Sequence, residues 1–304
     1  MSNLQASHLF SVQGRVAVIT GGGTGLGRII AHALAINGAS KIFVLGRREE
    51  ALRETATQAQ DGVIIPVKCD ITSKESLESA YQTIAAQTTY IDILFANGGI
   101  VGPGMRPPQP KADGTPPSLS EFREELFNIP MEEFTKVLDV NITGSYYTVL
   151  TFLPLLDAAN RRRPAPQVGV LTPPTAQVVI TTSIAGFIRR APFSYAYSAS
   201  KAGTTHLVKM LSTTLSSYDI RVNGIAPGLY DTEMAHDVFT QMGAQSGGIS
   251  EGSFPRPMIP LTRAGSEEDF AGLILWLASN SGGYVNGAIM ITDGGRLSVW
   301  PSAY

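Results

Sequence analysis

The stretch Tyr195-Ala196-Tyr197-Ser198-Ala199-Ser200-Lys201 sets a phenol and an ammonium four residues apart, at what reads as the start of a long helix. Four residues is about one helical turn, so Tyr197 and Lys201 share a face. A phenol with its free pKa of about 10 is a poor acid near neutrality, and a cation held beside its oxygen favours the phenolate and lowers that value. Such a pair can pass a proton to or from a carbonyl oxygen. The spacing by itself is equally what a solvated helix face would carry, so the reading depends on what the rest of the chain brings to the pair. Tyr195 has only Ala199 four residues on, and is expected to pack or to form a pocket wall.

The elements that must hold the pair follow an alternating pattern. Residues 15–20, Arg-Val-Ala-Val-Ile-Thr, read as a buried strand, after a leader, 1–14, expected to lie on the surface. Directly after it comes Gly21-Gly22-Gly23-Thr24-Gly25-Leu26-Gly27, and then a helical segment to about residue 38. Strand, glycine-rich turn and helix start, in that order, are the context of a dinucleotide site: the glycines let the backbone approach a pyrophosphate, whose charge meets free amides at the helix N-terminus. A flexible turn is the alternative. Strand 41–45 ends in Gly46-Arg47-Arg48, where an acid would bind a ribose 2′-hydroxyl and an arginine a 2′-phosphate. Two arginines and no acid argue for NADP(H), because a guanidinium fork suits a phosphate. Pairing with Glu49 or Glu50 is the competing use of those arginines.

The alternation continues with strand 63–67, helix 73–87, strand 91–96, helix 131–158, strand 177–182, the Tyr197 helix to 218, strand 220–226, helix 266–279 and strand 288–292. Helical crossovers of this length predict an α/β fold with a single doubly wound parallel sheet covered by helices on both faces. Asp70, Asn97 and Ser183 then fall at the carboxyl edge, where ligands of such sheets bind. Asn141 stands in mid-helix, where an asparagine needs a reason. Residues 100–131 and 160–175 are rich in Pro and Gly and read as insertions at the site rim; 229–262 reads as a substrate lid. No internal repeat or composition break divides the 304 residues, so a single domain is expected.

Composition removes other functions. A net charge of −2 offers no electrostatic footprint for nucleic acid or an anionic membrane, and the one basic run, Arg161-Arg162-Arg163, reads as a solvated helix end. One cysteine, Cys69, excludes an internal disulfide and is expected to be an inert core thiol; the four histidines are scattered and suggest no metal site. With no signal-like segment and no run of about 18 apolar residues, a cytoplasmic protein is expected.

Taken in order, Thr20-Gly21-x-x-x-Gly25-x-Gly27, Asp70, Asn97-Gly98-Gly99, Asn141, Ser183, Tyr197-x-x-x-Lys201 and Pro227-Gly228 with Thr232 resemble the short-chain dehydrogenase/reductase family from residue 15 to 295, and within it fungal members similar to 3-oxoacyl-carrier-protein reductases. The family's usual Asn-Ala-Gly is Asn97-Gly98-Gly99 here, a small-for-small change. The resemblance implies a tetrad. Tyr197 is the acid/base, Lys201 lowers its pKa and holds the nicotinamide ribose, Ser183 binds the substrate oxygen, and Asn141 kinks its helix and seats a water. It further implies Asp70 at the adenine, Asn97 at the adenosine ribose, and Leu26, Tyr230 and Thr232 at the nicotinamide end, with Gly23 and Thr24 in the turn. The expected activity is NADPH-dependent reduction of an apolar ketone by a homodimer or homotetramer. A non-redox catalyst on the same scaffold and an NADP(H) sensor without turnover are the competing readings.

Overall fold

The first strand, β1 (Val16–Thr20), is apolar for most of its length and buried at every residue. Only a strand covered on both faces can bury such a run, which places β1 at the middle of a sheet. In the computed structural model, which describes residues 4–59, 62–105, 108–191, 194–233, 239 and 248–303, β1 lies between β2 (Lys41–Gly46) and β4 (Ile93–Ala96). The full order is β3-β2-β1-β4-β5-β6-β7, with β3 (Ile64–Lys68), β5 (Gln177–Thr181), β6 (Arg221–Pro227) and β7 (Ile289–Thr292), all paired in parallel. Pro66, which has no amide to donate, sits in β3 at the outer edge.

Strand order reverses between β1 and β4, so the loops at their carboxyl ends part there and leave a crevice. One face of the sheet is covered by α4 (Lys74–Ala85), α7 (Ser145–Arg161) and α8 (Tyr195–Leu215), around a core that includes Val18, Leu94, Phe152, Ile180 and Val208. The other is covered by α2 (Gly25–Ile36) and α9 (Glu267–Ala278), around Ile19, Leu34, Phe95, Val179 and Phe270. Further α-helices are α1 (Ala6–Leu9), α3 (Glu49–Thr57), α5 (Leu119–Phe127), α6 (Met131–Leu138) and α10 (Arg296–Val299). Among the described residues, no helix is long and apolar enough to cross a membrane.

Four expectations are corrected. The leader does more than lie on the surface: α1 is exposed, but Val12 is fully buried in the second core. The expected helix over 131–158 is two α-helices, α6 and α7, joined by a π-helical turn at Asp139–Gly144 that contains Asn141. Such a one-turn widening reorients the side chains on it. Residues 160–175 do not border the crevice. They join the end of α7 to the start of β5, which is the amino edge of the sheet, and there Arg163 donates to Pro173 O while Arg162 stacks on Tyr90. That edge holds a cavity of about 180 Å³ lined by Arg15, Asp92, Arg163 and Pro173, on the far side from Tyr197. Tyr195 is 43% exposed at the first residue of α8, so of the two roles expected for it packing is excluded and a pocket wall is left.

The expected insertion over 100–131 has a structured part. Ser118 and Glu121 cap α5 reciprocally, and Leu126, Ile129, Ile100 and Met105 cluster with Val137 of α6 and Ala196 of α8. Of the lid expected over 229–262, residues 234–238 and 240–247 lie outside the described residues; Leu229, Phe239, Phe254 and Ile259 form a small core of their own.

A short turn, Ile184–Gly186, carries the chain from β5 under α8, and a Cβ on Gly186 would come within 2.8 Å of the Lys201 and Ala202 backbone. Gly186→Ala is therefore expected to cost ~1–3 kcal/mol of stability in urea unfolding; an unmoved midpoint would show that this turn does not clamp α8.

Candidate active site

The N-terminus of α8 is built by Ser194, which is fully buried and accepts the Tyr197 amide at 3.1 Å. The helix thus begins with its first turn against the end of β5, and both Tyr197 and Lys201 face inward, 7% and 5% exposed. At the end of β5, Ser183 starts the Ile184–Gly186 turn by accepting Ala185 N, and its side chain is hydrogen-bonded to that of Tyr197. Lys201 Nζ lies 5.8 Å from the Tyr197 ring centroid and donates to Thr181 O at 2.8 Å.

Asn141 ties this group to the fourth strand. Its Oδ1 accepts Ile100 N at 2.8 Å, and its Nδ2 donates to Ile100 O and to Ser200 Oγ, each at 2.9 Å. Ser200 Oγ in turn donates to Tyr197 O at 2.7 Å. Gly99 is threaded between, since a Cβ there would sit 3.1 Å from Asn141 Oδ1 and 3.5 Å from Lys201 Nζ. Ser194, Ser200 and the Thr181 carbonyl were not singled out from the sequence. Ser194 had a local signal, a serine three residues before Tyr197 at a helix start; the other two had none.

Burial sets the acidities. It pushes the Tyr197 phenol above its usual value, with the Ser183 hydrogen bond pulling partly the other way. It pushes the Lys201 ammonium down to about 8. The expected lowering of the phenol by its cation is thus replaced by a rise: burial is the larger cause, and the opposing pull comes from the Ser183 hydrogen bond rather than from Lys201.

The other predicted residues gather at the crevice, with exceptions. Gly21, Gly23, Thr24, Gly25, Leu26 and Gly27 form the turn and the first residues of α2. Gly25 has φ +51°, a left-handed conformation that favours glycine, and a Cβ on Gly27 would run into the Gly21 carbonyl. Thr24 makes no side-chain cap, so the first amides of α2 face the crevice without a capping side chain. Glycines that admit no Cβ beside free helix amides fit a dinucleotide pyrophosphate. Thr232 lies over this turn, 3.3 Å from where a Gly25 Cβ would be.

Arg47 is exposed and its field, with hydrogen bonds from Thr72, keeps Asp70 below the usual carboxylate range, the Thr72 bonds being the larger cause. Arg48 pairs with neither Glu49 nor Glu50 but with Glu233 at 2.8 Å. Asn97 is spent on the scaffold, donating to Thr20 O and accepting Thr181 Oγ1. Tyr230 is turned into the second core, edge-on to Phe270, with its hydroxyl on Thr292 Oγ1. Cys69 is buried, and burial raises its thiol to about 11.

A parallel sheet with a glycine turn after its first strand, and a buried Tyr, Lys and Ser at the end of its fifth, is the frame of a nucleotide-binding α/β fold. The family model for short chain dehydrogenase matches residues 15–243. Over 306 residues, the chain is 41% identical to the short-chain dehydrogenase/reductase PhomF of Diaporthe leptostromiformis, covering 99% of this chain and 98% of that protein. It is 28% identical to the rhamnolipids biosynthesis 3-oxoacyl-(acyl-carrier-protein) reductase of Pseudomonas aeruginosa, covering 94% and 97%. The solved Pseudomonas aeruginosa RhlG/NADP active-site complex matches with a TM-score of 0.74 and 29% identity over 95% of this chain and 98% of that one. The chain belongs to the short-chain dehydrogenase/reductase family, and is an oxidoreductase.

Lys201 gives a stability prediction. Its folded pKa of about 8 lies below the ordinary lysine value of 10.5, so the unfolded chain holds more protons between those values and stability rises with pH across that window. Below about pH 8 the buried charge costs ~3 kcal/mol, less whatever its bond to Thr181 returns. Lys201→Met is expected to melt higher than the wild type at pH 7, with the gap closing toward pH 10.5. A gap independent of pH would refute the burial cost.

Proposed function

We propose that the protein is an NADPH-dependent reductase of an apolar ketone, with Tyr197 as the proton donor. The observation that carries this is the Tyr197 phenol, hydrogen-bonded to Ser183 at the end of β5 with the buried Lys201 one turn along the same helix. A reduced nicotinamide, when bound, supplies the hydride. Negative charge then grows on the substrate oxygen, and the Ser183 and Tyr197 hydroxyls stabilise it there while Tyr197 gives up its proton. With its pKa raised by burial, Tyr197 holds that proton at neutral pH and is in the donor form. Lys201, charged below about pH 8, stabilises the phenolate left behind. Asn141 acts on Lys201 through its neighbours, holding Ile100, which follows Gly99, and Ser200, which precedes Lys201.

The glycine turn 21–27, Arg47, Arg48, Asp70 and Thr232 would hold the cofactor, with the arginine pair favouring a 2′-phosphate. An apolar substrate fits the clusters around Met105 and Ile100 and around Leu229 and Phe254. The likeness to a protein named as a 3-oxoacyl reductase supports a ketone. A cytoplasmic location accords with a chain that has a single, buried, unpaired cysteine.

Incubation with NADPH and a panel of ketones should consume NADPH, and Tyr197→Phe should lower kcat/KM by ~10²–10⁴-fold while leaving NADPH binding intact. Product formed by Tyr197→Phe without NADPH oxidation would support a non-redox catalyst, and tight binding without turnover a sensor. Part-exposed Phe134, Tyr146, Leu150 and Met210 on α6, α7 and α8 support a homodimer or homotetramer. Sedimentation at micromolar concentration should give two or four chains, and a monomer would contradict it.

A further inference from the structure

Arg48 stands just before α3, at the place where a 2′-phosphate is expected, and its guanidinium is gripped from both prongs by one carboxylate. Nη1 donates to Glu233 Oε1 and Nη2 to Glu233 Oε2, each at 2.8 Å; Nη2 also reaches Thr24 Oγ1 at 3.3 Å. Glu233 belongs to the segment that leaves β6, remote in sequence from Arg48. Its neighbour Thr232 touches the glycine turn at Gly25. Residues 230–233 thus form a strap from the end of β6, over the turn, to the end of β2. Arg48 is the first cause holding the Glu233 carboxyl down to about 2, and Thr24 and Arg28 act in the same direction.

A carboxylate bound through both oxygens occupies the same pair of donors that a phosphate would use. A phosphate approaching Arg48 also meets the negative charge of Glu233 within a few ångströms, and like charges that close repel. The two anions therefore compete for one guanidinium. The internal pair is open to exchange, because the Arg48 and Glu233 side chains are 63% and 59% exposed and a solvated pair is weakly held.

We propose that Glu233 is a specificity-determining residue that competes with the cofactor's 2′-phosphate for Arg48. Uptake of NADP(H) requires the fork to open and the 230–233 strap to release, whereas a cofactor with a free 2′-hydroxyl leaves the fork closed. Glu233 thereby narrows the preference that Arg47 and Arg48 create. It also links the phosphate end of the cofactor to the strap that carries Thr232. The inference rests on the NADP(H) reading above.

The test is equilibrium titration of the full chain with NADPH and with NADH, read by cofactor fluorescence without substrate. Glu233→Gln and Glu233→Ala should each tighten NADPH about threefold and change NADH less than twofold, on the scale of one exposed ion pair. Arg48→Ala should weaken NADPH about tenfold or more, and adding Glu233→Gln to it should bring no further gain. If Arg48→Ala loses NADPH while neither Glu233 variant gains it, or both cofactors tighten equally, the competition is refuted and the NADP(H) reading stands. If Arg48→Ala leaves NADPH binding unchanged, the reading fails at this residue and the competition falls with it.

Discussion

An ammonium almost wholly removed from water is the constraint around which the site is arranged. Among the described residues, Lys201 has one protein acceptor for its charge, the Thr181 carbonyl at the end of β5, and burial brings its pKa down to about 8. A buried charge is tolerable only with fixed polar partners around it. Thr181 O is fixed by the strand that carries it, while Asn141 and Gly99 crowd the other side. The same burial raises the Tyr197 phenol, so the pair is held in a state with the proton on both groups near neutral pH. A phenol that keeps its proton beside a cation is able to give that proton to an oxygen on which negative charge develops.

Holding Tyr197 and Lys201 in place takes a network that crosses three elements. The π-helical turn puts Asn141 where it can satisfy both backbone groups of Ile100, after β4, and still reach Ser200 on α8. Ser200 passes this on to the Tyr197 carbonyl. A regular helix through residues 139–144 would rotate Asn141 off that line, so the irregularity serves the geometry. Scaffold and site overlap here to the point that Asn97, expected to meet a ribose, spends its amide joining β1 and β5.

The cofactor crevice has the same character at its other end. Its walls come from the glycine turn, from the end of β2 and from the segment after β6, which sequence separates widely. Arg48 and Glu233 meet across that gap, so the charge at the end of β2 is balanced internally and the strap is drawn over the turn. Exposed ion pairs contribute little to stability, so this one is weakly held.

What the sequence determined by itself was whatever depends on near neighbours. The alternation of apolar runs and amphipathic segments implied the parallel sheet, because the side-chain periods of strand and helix differ. The glycine turn was legible from its place between a strand and a helix, and Tyr197 with Lys201 from a one-turn spacing. Boundaries moved by one to three residues, as when β2 took in Gly46 and α7 ran on to Arg161. The tertiary structure alone decided the partner of Arg48, the reach of Asn141, the burial of Val12, the inward turn of Tyr230 and the outward turn of Tyr195. It alone also put residues 160–175 at the amino edge of the sheet, although the crossover rule contained that answer for a loop leading into a strand. The reason is common to all of these: each is a contact between residues far apart in the chain, and only packing chooses among the partners that local pattern allows.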